Sequence, residues 1–282
     1  MLVCSESIVK AEQKTLEKLN SRVRVIGLPR QTVNILGINV DRLNLAQSIV
    51  TIKTIIKGKH KVFAVFPNVF VLTESRRNDE YKKIINSADL SFADGVPLVW
   101  ASYLLGRYTG GRVSGADMFL LMNLIAEQEG FSCYYLGGGP GGSEKVIDNF
   151  RRQYPRLKIV GNFSPPLGEI SQRMNYEIVR KINSAKPNIL WVGLGSPRQE
   201  RWIYSNFGNL DVNVAMGVGA AFDYAAGKKQ RAPKWMQITG LEWFYRILFE
   251  NFTLFWKKKY YAYLWEFMVP VLAQVFRERI RK

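Results

Sequence analysis

Between residues 61 and 216, short apolar runs alternate with stretches of helical periodicity, and polar or glycine clusters follow the runs. This alternation constrains the fold more than any other feature of the chain. Strand-like runs fall at 61–66, 90–93, 132–136, 157–160, 188–192 and 212–216. Helical patterns are expected over 69–77, 80–88, 96–105, 116–128, 142–154, 171–185 and 197–206. Upstream, 32–40 reads as a strand or hairpin. Asp41 is then placed to cap a helix reaching Lys57, with Leu45, Ile49, Ile52, Ile55 and Ile56 on its apolar side. Repeated strand–helix order predicts a mostly parallel, Rossmann-like sheet with helices on both faces. Sheets of that kind bind ligands beyond the carboxyl ends of their strands.

The polar clusters sit at that predicted edge: Asn68, Asp94, then 137–142, 193–199 and 217–223. Any one strand–helix turn collects Gly, Asp and Asn, but five such clusters on one edge point to a site. Gly137-Gly138-Gly139-Pro140-Gly141-Gly142 opens a helix. Backbone N–H groups in such a turn can approach a phosphate, and a helix N-terminus favours negative charge. The spacing is neither the dinucleotide fingerprint nor a P-loop, so a plain tight turn is an equal reading. Asp94 at a strand end can take a proton from a hydroxyl or cap a helix. Arg112 lies in a glycine-rich loop and can clamp a phosphate. Gln199 can hydrogen-bond a sugar or base, Glu200 reads as a first-turn carboxylate, and Asp223 is placed for a ribose or base.

Composition narrows the chemistry. The 282 residues include one histidine, His60, and two cysteines, Cys4 and Cys133, with no partner spacing. Serine–histidine triads and histidine-rich metal centres therefore have little material, a disulfide framework is not suggested, and no metal or other cofactor is expected. The formal charge of +17 implies an anionic partner. The stretch 228–282 holds twelve Lys/Arg against four Asp/Glu and is rich in aromatics. Helices are expected there over 233–249 and from 254 to the end, the second broken near Pro270. The apolar part, 260–276, is short for a membrane span and contains Glu266 and Pro270. Aromatics flanked by Lys257–Lys259 and the basic 277–282 suit a helix lying in a bilayer interface, or one packed between subunits of a homo-oligomer. The expected division is a polar tail over 1–22, without an apolar core of signal-peptide length, a core over 23–227 and a helical appendage over 228–282. Nucleic-acid binding, which the charge alone favours, has no recognisable motif here.

The ordered set of motifs resembles the WecG/TagA/CpsF glycosyltransferase family. The matching segments include Ala93-Asp94-Gly95-Val96-Pro97, Gly111-Arg112-Val113-Ser114-Gly115-Ala116-Asp117, Leu136-Gly137-Gly138-Gly139-Pro140-Gly141 and Gly161-Asn162-Phe163-Ser164-Pro165-Pro166. They continue with Val192-Gly193-Leu194-Gly195-Ser196-Pro197-Arg198-Gln199-Glu200, Gly217-Val218-Gly219-Ala220-Ala221-Phe222-Asp223, Arg231-Ala232-Pro233-Lys234-Trp235 and Gly240-Leu241-Glu242-Trp243-Phe244-Tyr245-Arg246. Phe66-Pro67-Asn68 departs from the family's Thr-Pro-Asn by lacking the threonine hydroxyl.

The resemblance implies an inverting, metal-independent hexosyltransferase. Its donor would be a UDP-sugar carrying a hexose or N-acetylhexosamine, and its acceptor a polyprenyl-diphosphate-linked sugar. The product would feed teichoic acid, capsule or exopolysaccharide synthesis. It implies Asp94 as general base and Arg112 and Gln199 as active-site residues. Asn68, Gly137, Gly138, Pro140, Gly195, Gly219 and Asp223 would contact the donor, and Arg231 or Arg246 would reach the departing diphosphate. It also implies a peripheral protein at the cytoplasmic face of a bacterial membrane, held there by its C-terminal segment, with no nucleic-acid partner. A non-catalytic nucleotide-binding scaffold is the other reading.

Overall fold

The computed structural model describes residues 30–166, 168–238, 241–242, 244–245 and 254–280. The expected tail over 1–22, Arg246 and the end of the expected 233–249 helix lie outside these residues.

The described chain begins as a hairpin, β1 (Thr32–Ile35) and β2 (Ile38–Asp41), paired antiparallel. Six further strands form one parallel sheet: β3 (Val62–Val65), β4 (Leu90–Ser91), β5 (Ser132–Gly137), β6 (Lys158–Phe163), β7 (Ile189–Gly193) and β8 (Val214–Gly217). Their order is β4-β3-β8-β7-β5-β6. The linking helices are α1 (Leu45–Lys57), α2 (Val69–Arg77), α3 (Asp79–Asn86), α4 (Val96–Leu104), α5 (Gly115–Glu129), α6 (Gly142–Gln153), α7 (Gln172–Ala185) and α8 (Arg198–Asn206). After β8 come α9 (Ala221–Ala225), α10 (Lys234–Ile238) and α11 (Leu254–Ile280), with helical backbone also at Glu242, Phe244 and Tyr245.

Strand periodicity divides the interior into two cores. Phe63, Val65, Tyr134, Leu136, Leu190, Val192 and Ala215 point to one face. Ala64, Cys133, Tyr135, Ile189, Trp191, Val214 and Met216 point to the other. Being covered on both faces, these strands read as continuous apolar runs. On the second face the Phe119 ring meets Trp191 edge-on at 4.9 Å and stacks on Phe222 at 5.2 Å. That cluster fixes the start of α9, beside the tip of β8. Cys133 is fully enclosed, and burial pushes its thiol up to about 12, so it is an inert core residue.

Two expectations are corrected. Asp41 does not cap α1. It ends β2, pairs with Arg30 and accepts from the Ser91 amide. Asn44 is the cap instead, in a reciprocal capping box with Gln47. Nor does Pro270 break the last helix, which runs unbroken from Leu254 to Ile280. Proline lacks the N–H that would bond the carbonyl four residues back. That carbonyl belongs to Glu266, and the Arg76 guanidinium bonds it at 2.8 Å instead.

The helix α11 is tied into the core. Tyr263, Phe267 and Val271 are buried with the first-face cluster, and the Tyr263 hydroxyl donates to Glu74 at 2.6 Å. Gln274 bonds the hairpin at the Leu36 amide and the Asn34 carbonyl. On its other side Trp265, Val269, Leu272, Phe276 and Ile280 form an exposed stripe at helical spacing. Among the described residues, no helix is long and apolar enough to cross a membrane.

Candidate active site

Three loops at the carboxyl edge of the sheet are stitched together by their backbones. The Asp94 amide donates to the Pro67 carbonyl at 2.9 Å, and the Val113 amide donates to the Ala93 carbonyl at 2.8 Å. These two bonds bring Asn68, Asp94 and Arg112 into one neighbourhood, although the sequence separates them by tens of residues. Gly95 makes the turn into α4 with φ of +114°, a conformation that favours glycine.

A cavity of about 380 Å³ opens at this place. Asn68, Asp94, Arg112, Gly195, Gln199 and Gly219 line it, with an apolar wall that includes Phe66, Val96 and Val218. Six of the residues read from the sequence thus share one space. Asn68 caps α2, its Oδ1 accepting from the Val71 amide at 3.1 Å. Its amide nitrogen is the group left to offer a ligand.

Gln199 is only 4% exposed and packs against the backbone of the β8 turn. A Cβ at Gly217 would lie 3.0 Å from the Gln199 Cγ, so glycine is needed for this approach. The Gln199 Nε2 donates to Glu200 at 2.8 Å, which fixes the amide orientation. Its Oε1 is buried and has no hydrogen-bond partner among the described residues. Such an acceptor is costly to leave unfilled, and it suits a donor group on a ligand. Behind it, Glu200 also accepts from Ser196 at 2.7 Å and Tyr81 at 3.2 Å. Burial pushes the Glu200 carboxyl above its usual range, against the opposing pull of those hydrogen bonds.

An ionic quartet sits at the rim. Arg112 donates to Asp117 at 2.7 Å and to Glu242 at 3.0 Å. Arg231 pairs with Asp117 at 2.7 Å and grips Glu242 with two N–H groups, at 2.9 and 3.1 Å. Burial alone would raise the Asp117 carboxyl. The hydrogen bond and charge of Arg231, with Arg112 and Ser114, outweigh it and hold the carboxyl below its usual range. Glu242 lines the cavity, whereas Arg231 lies behind it. The sequence reading gave neither Asp117 nor Glu242 a role. The available signal was an isolated acid inside a strongly basic segment.

The other sequence candidates lie elsewhere. Gly137, Gly138 and Pro140 do not line the cavity. A Cβ at Gly137 would come within 2.4 Å of the Gly193 carbonyl oxygen, so this glycine permits close packing of β5 on β7. At the start of α6 the Ser143 amide is already taken by Ser164 at 3.0 Å. Asp223 sits next to Tyr224, a lining residue, and pairs with Lys229 at 3.8 Å. Among the described residues, no group of three or more His, Cys, Asp or Glu side chains is placed to hold a metal ion. A larger groove of about 620 Å³ runs along α7, lined by Asn175, Tyr176, Arg180 and Asn206, with no carboxylate in its wall.

A family model for the glycosyl transferase WecG/TagA/CpsF family matches residues 33–281, nearly the whole described chain. The chain belongs to that family. Similar proteins from Staphylococcus aureus strains MRSA252 and NCTC 8325 / PS 47 are each 28% identical over 228 residues. The match covers 80% of this chain and 86% of each relative. Both are named N-acetylglucosaminyldiphosphoundecaprenol N-acetyl-beta-D-mannosaminyltransferase. Membership makes this chain a glycosyltransferase with a Rossmann-like α/β fold, and the strand-tip cavity is its candidate centre for transfer.

Proposed function

We propose that the chain transfers a hexose or N-acetylhexosamine from a UDP-sugar to a polyprenyl-diphosphate-linked sugar, with inversion at the anomeric carbon and without a metal ion. The observation that carries the reading is the shared cavity, which joins Asp94, whose partner acid Glu242 is held by arginines, to Arg112 and the buried amide of Gln199. The names of the staphylococcal relatives support the acceptor class.

In this mechanism Asp94 removes a proton from the acceptor hydroxyl as that oxygen attacks the anomeric carbon. The bond from that carbon to the diphosphate oxygen breaks on the opposite face, and UDP leaves. Negative charge grows on the leaving diphosphate, where prearranged cations stabilise it most in a site shielded from water. Arg112, which lines the cavity, and Arg231, bonded to Glu242 beside it, take the role a divalent ion fills in other transferases. The Gln199 Oε1 accepts from a hydroxyl or acetamido N–H of the sugar, and Asn68 donates to a neighbouring oxygen. The nucleotide end extends past Gly195 and Gly219 toward Asp223.

A polyprenyl acceptor stays in the bilayer, so the enzyme must work at its surface. The exposed stripe on α11, with Arg277 and Arg279 beside it, fits a lipid interface on the cytoplasmic side. Trp100 and Tyr103 are also exposed, on α4, whose first residues Val96 and Pro97 line the cavity.

The test is a donor panel: purified full-length protein, several UDP-sugars and a short-chain lipid-diphosphate acceptor, with products read by mass. One UDP-sugar is expected to add one sugar residue, with chelator present throughout. Absence of product from the whole panel, with UDP failing to bind, contradicts the reading.

A further inference from the structure

The quartet at the rim contains two acids that are not equivalent. Asp117 belongs to the first turn of α5, where its amide donates to Ser114 at 3.1 Å and its carboxylate accepts from Ser114 at 2.7 Å. It lies behind the arginines and does not line the cavity. Glu242 comes from the distant C-terminal segment and does line it. Its two oxygens fill the fork of Arg231, the arrangement in which arginine recognises a carboxylate or a phosphate, and Oε2 also accepts one N–H of Arg112.

Charge decides what can replace it. With Glu242 seated, two guanidinium groups face two carboxylates and the quartet is neutral. A diphosphate entering beside Glu242 would meet a like charge and an Arg231 fork that is already filled. With Glu242 withdrawn, Arg112, Arg231 and Asp117 together present one net positive charge to the cavity. Near Glu242 the Leu241 amide donates to the Met236 carbonyl at 2.8 Å, and the Phe244 and Tyr245 amides donate to the Leu241 carbonyl at 3.0 Å.

We propose that Glu242 is an anionic stand-in for the donor. In the donor-free enzyme its carboxylate fills the seat of the diphosphate, and donor binding displaces it and loosens the amide bonds of Leu241, Phe244 and Tyr245. This rests on the sugar-diphosphate reading above and adds to it a self-blocking contact. The seated carboxylate keeps the two arginines charged, ordered and closed to stray anions. Displacing it uses part of the donor's binding energy, so apparent donor affinity falls by the fraction of enzyme with the seat open. Opening also gives Arg231 access to the cavity only when a diphosphate is present to meet it.

The experiment uses the full chain, its Glu242→Gln variant, and two probes, UDP and inorganic pyrophosphate, by titration calorimetry. The variant is expected to bind both probes about tenfold more tightly, because the neutral amide competes poorly for the guanidinium groups. Equal or weaker binding of both probes makes Glu242 a strut that only orients the arginines, and overturns the proposal. If wild type binds UDP in that case, the donor reading survives. Tighter pyrophosphate binding by the variant, with no UDP binding to either protein, upholds the stand-in and removes the nucleotide donor. Hydrogen exchange in the wild type gives a readout independent of the variant's folding. Pyrophosphate is expected to accelerate exchange at the Leu241, Phe244 and Tyr245 amides. Unchanged protection there overturns the proposal.

Discussion

Two strand tips of this sheet look alike in sequence and differ in use. At the end of β5, six residues from Gly137 to Gly142 include five glycines and lead into a helix. At the ends of β3, β4 and β8 the glycines are fewer and stand beside Asn68, Asp94, Gln199 and the loop of Arg112. At the first tip Gly137 lies against Gly193, and Ser164 accepts from the Ser143 amide at the helix start. At the other tips, polar side chains converge on one cavity. A glycine-rich turn marks a place where backbone comes close to something, and here that something is another strand.

The strongest challenge to this contrast is Arg231→Met, which removes the centre of the ionic rim. Breaking a buried ion pair costs about 3–5 kcal/mol. Arg231 keeps 13% exposure, so the lower part of that range applies. A thermal melt is expected to fall by roughly 6–10 °C, and UDP affinity, read by calorimetry, by at least about tenfold. Unchanged UDP affinity would move the diphosphate seat away from this rim.

Gly137→Ala probes the other tip. Its φ of +127° and the 2.4 Å approach to Gly193 predict a loss of about 2–3 kcal/mol in denaturant unfolding. UDP affinity should stay within about twofold, since a residue outside the cavity contributes no contact to lose. A stable variant that no longer binds UDP would reverse the comparison and make the glycine turn the phosphate cradle.

A smaller effect concerns acid. The Asp117 carboxyl is held below its usual range by Arg231 and Arg112, in spite of its burial. Its contribution to stability is therefore complete above the unfolded value of about 3.9 and is lost as pH falls through the lower folded value. Asp117→Asn should be less stable than wild type by about 1–3 kcal/mol at pH 7. Unfolding curves of the two proteins should converge as pH drops below about 4. A constant gap across that range would show that the loss is one of packing, not of charge.

Most of the architecture was legible in the sequence because strand–helix alternation is a local signal. The hairpin, the parallel sheet and the helices over 69–77 and 96–104 follow from periodicity, and their ends differ from expectation by at most three residues. Asp41 misled because an acidic residue near a helix start has two uses. The capping box at Asn44 and Gln47, three residues apart, was the more specific signal. Pro270 misled because the compensating donor, Arg76, lies 190 residues away from its acceptor, Glu266. The same limit applies to the site. Asn68, Asp94, Arg112 and Gln199 were found at strand ends, where topology gathers them. The ion pairs of Arg112 and Arg231 with Glu242 join segments that no local pattern relates, and so Glu242 stayed invisible.

The central claim is that the Asp94 carboxylate in a strand-tip cavity activates the acceptor. Asp94→Asn, of nearly the same shape, tests it when transfer rate and UDP binding are measured side by side. Transfer is expected to fall by about a thousandfold or more, with UDP affinity within about twofold of wild type. A variant that transfers sugar at the wild-type rate would contradict the claim.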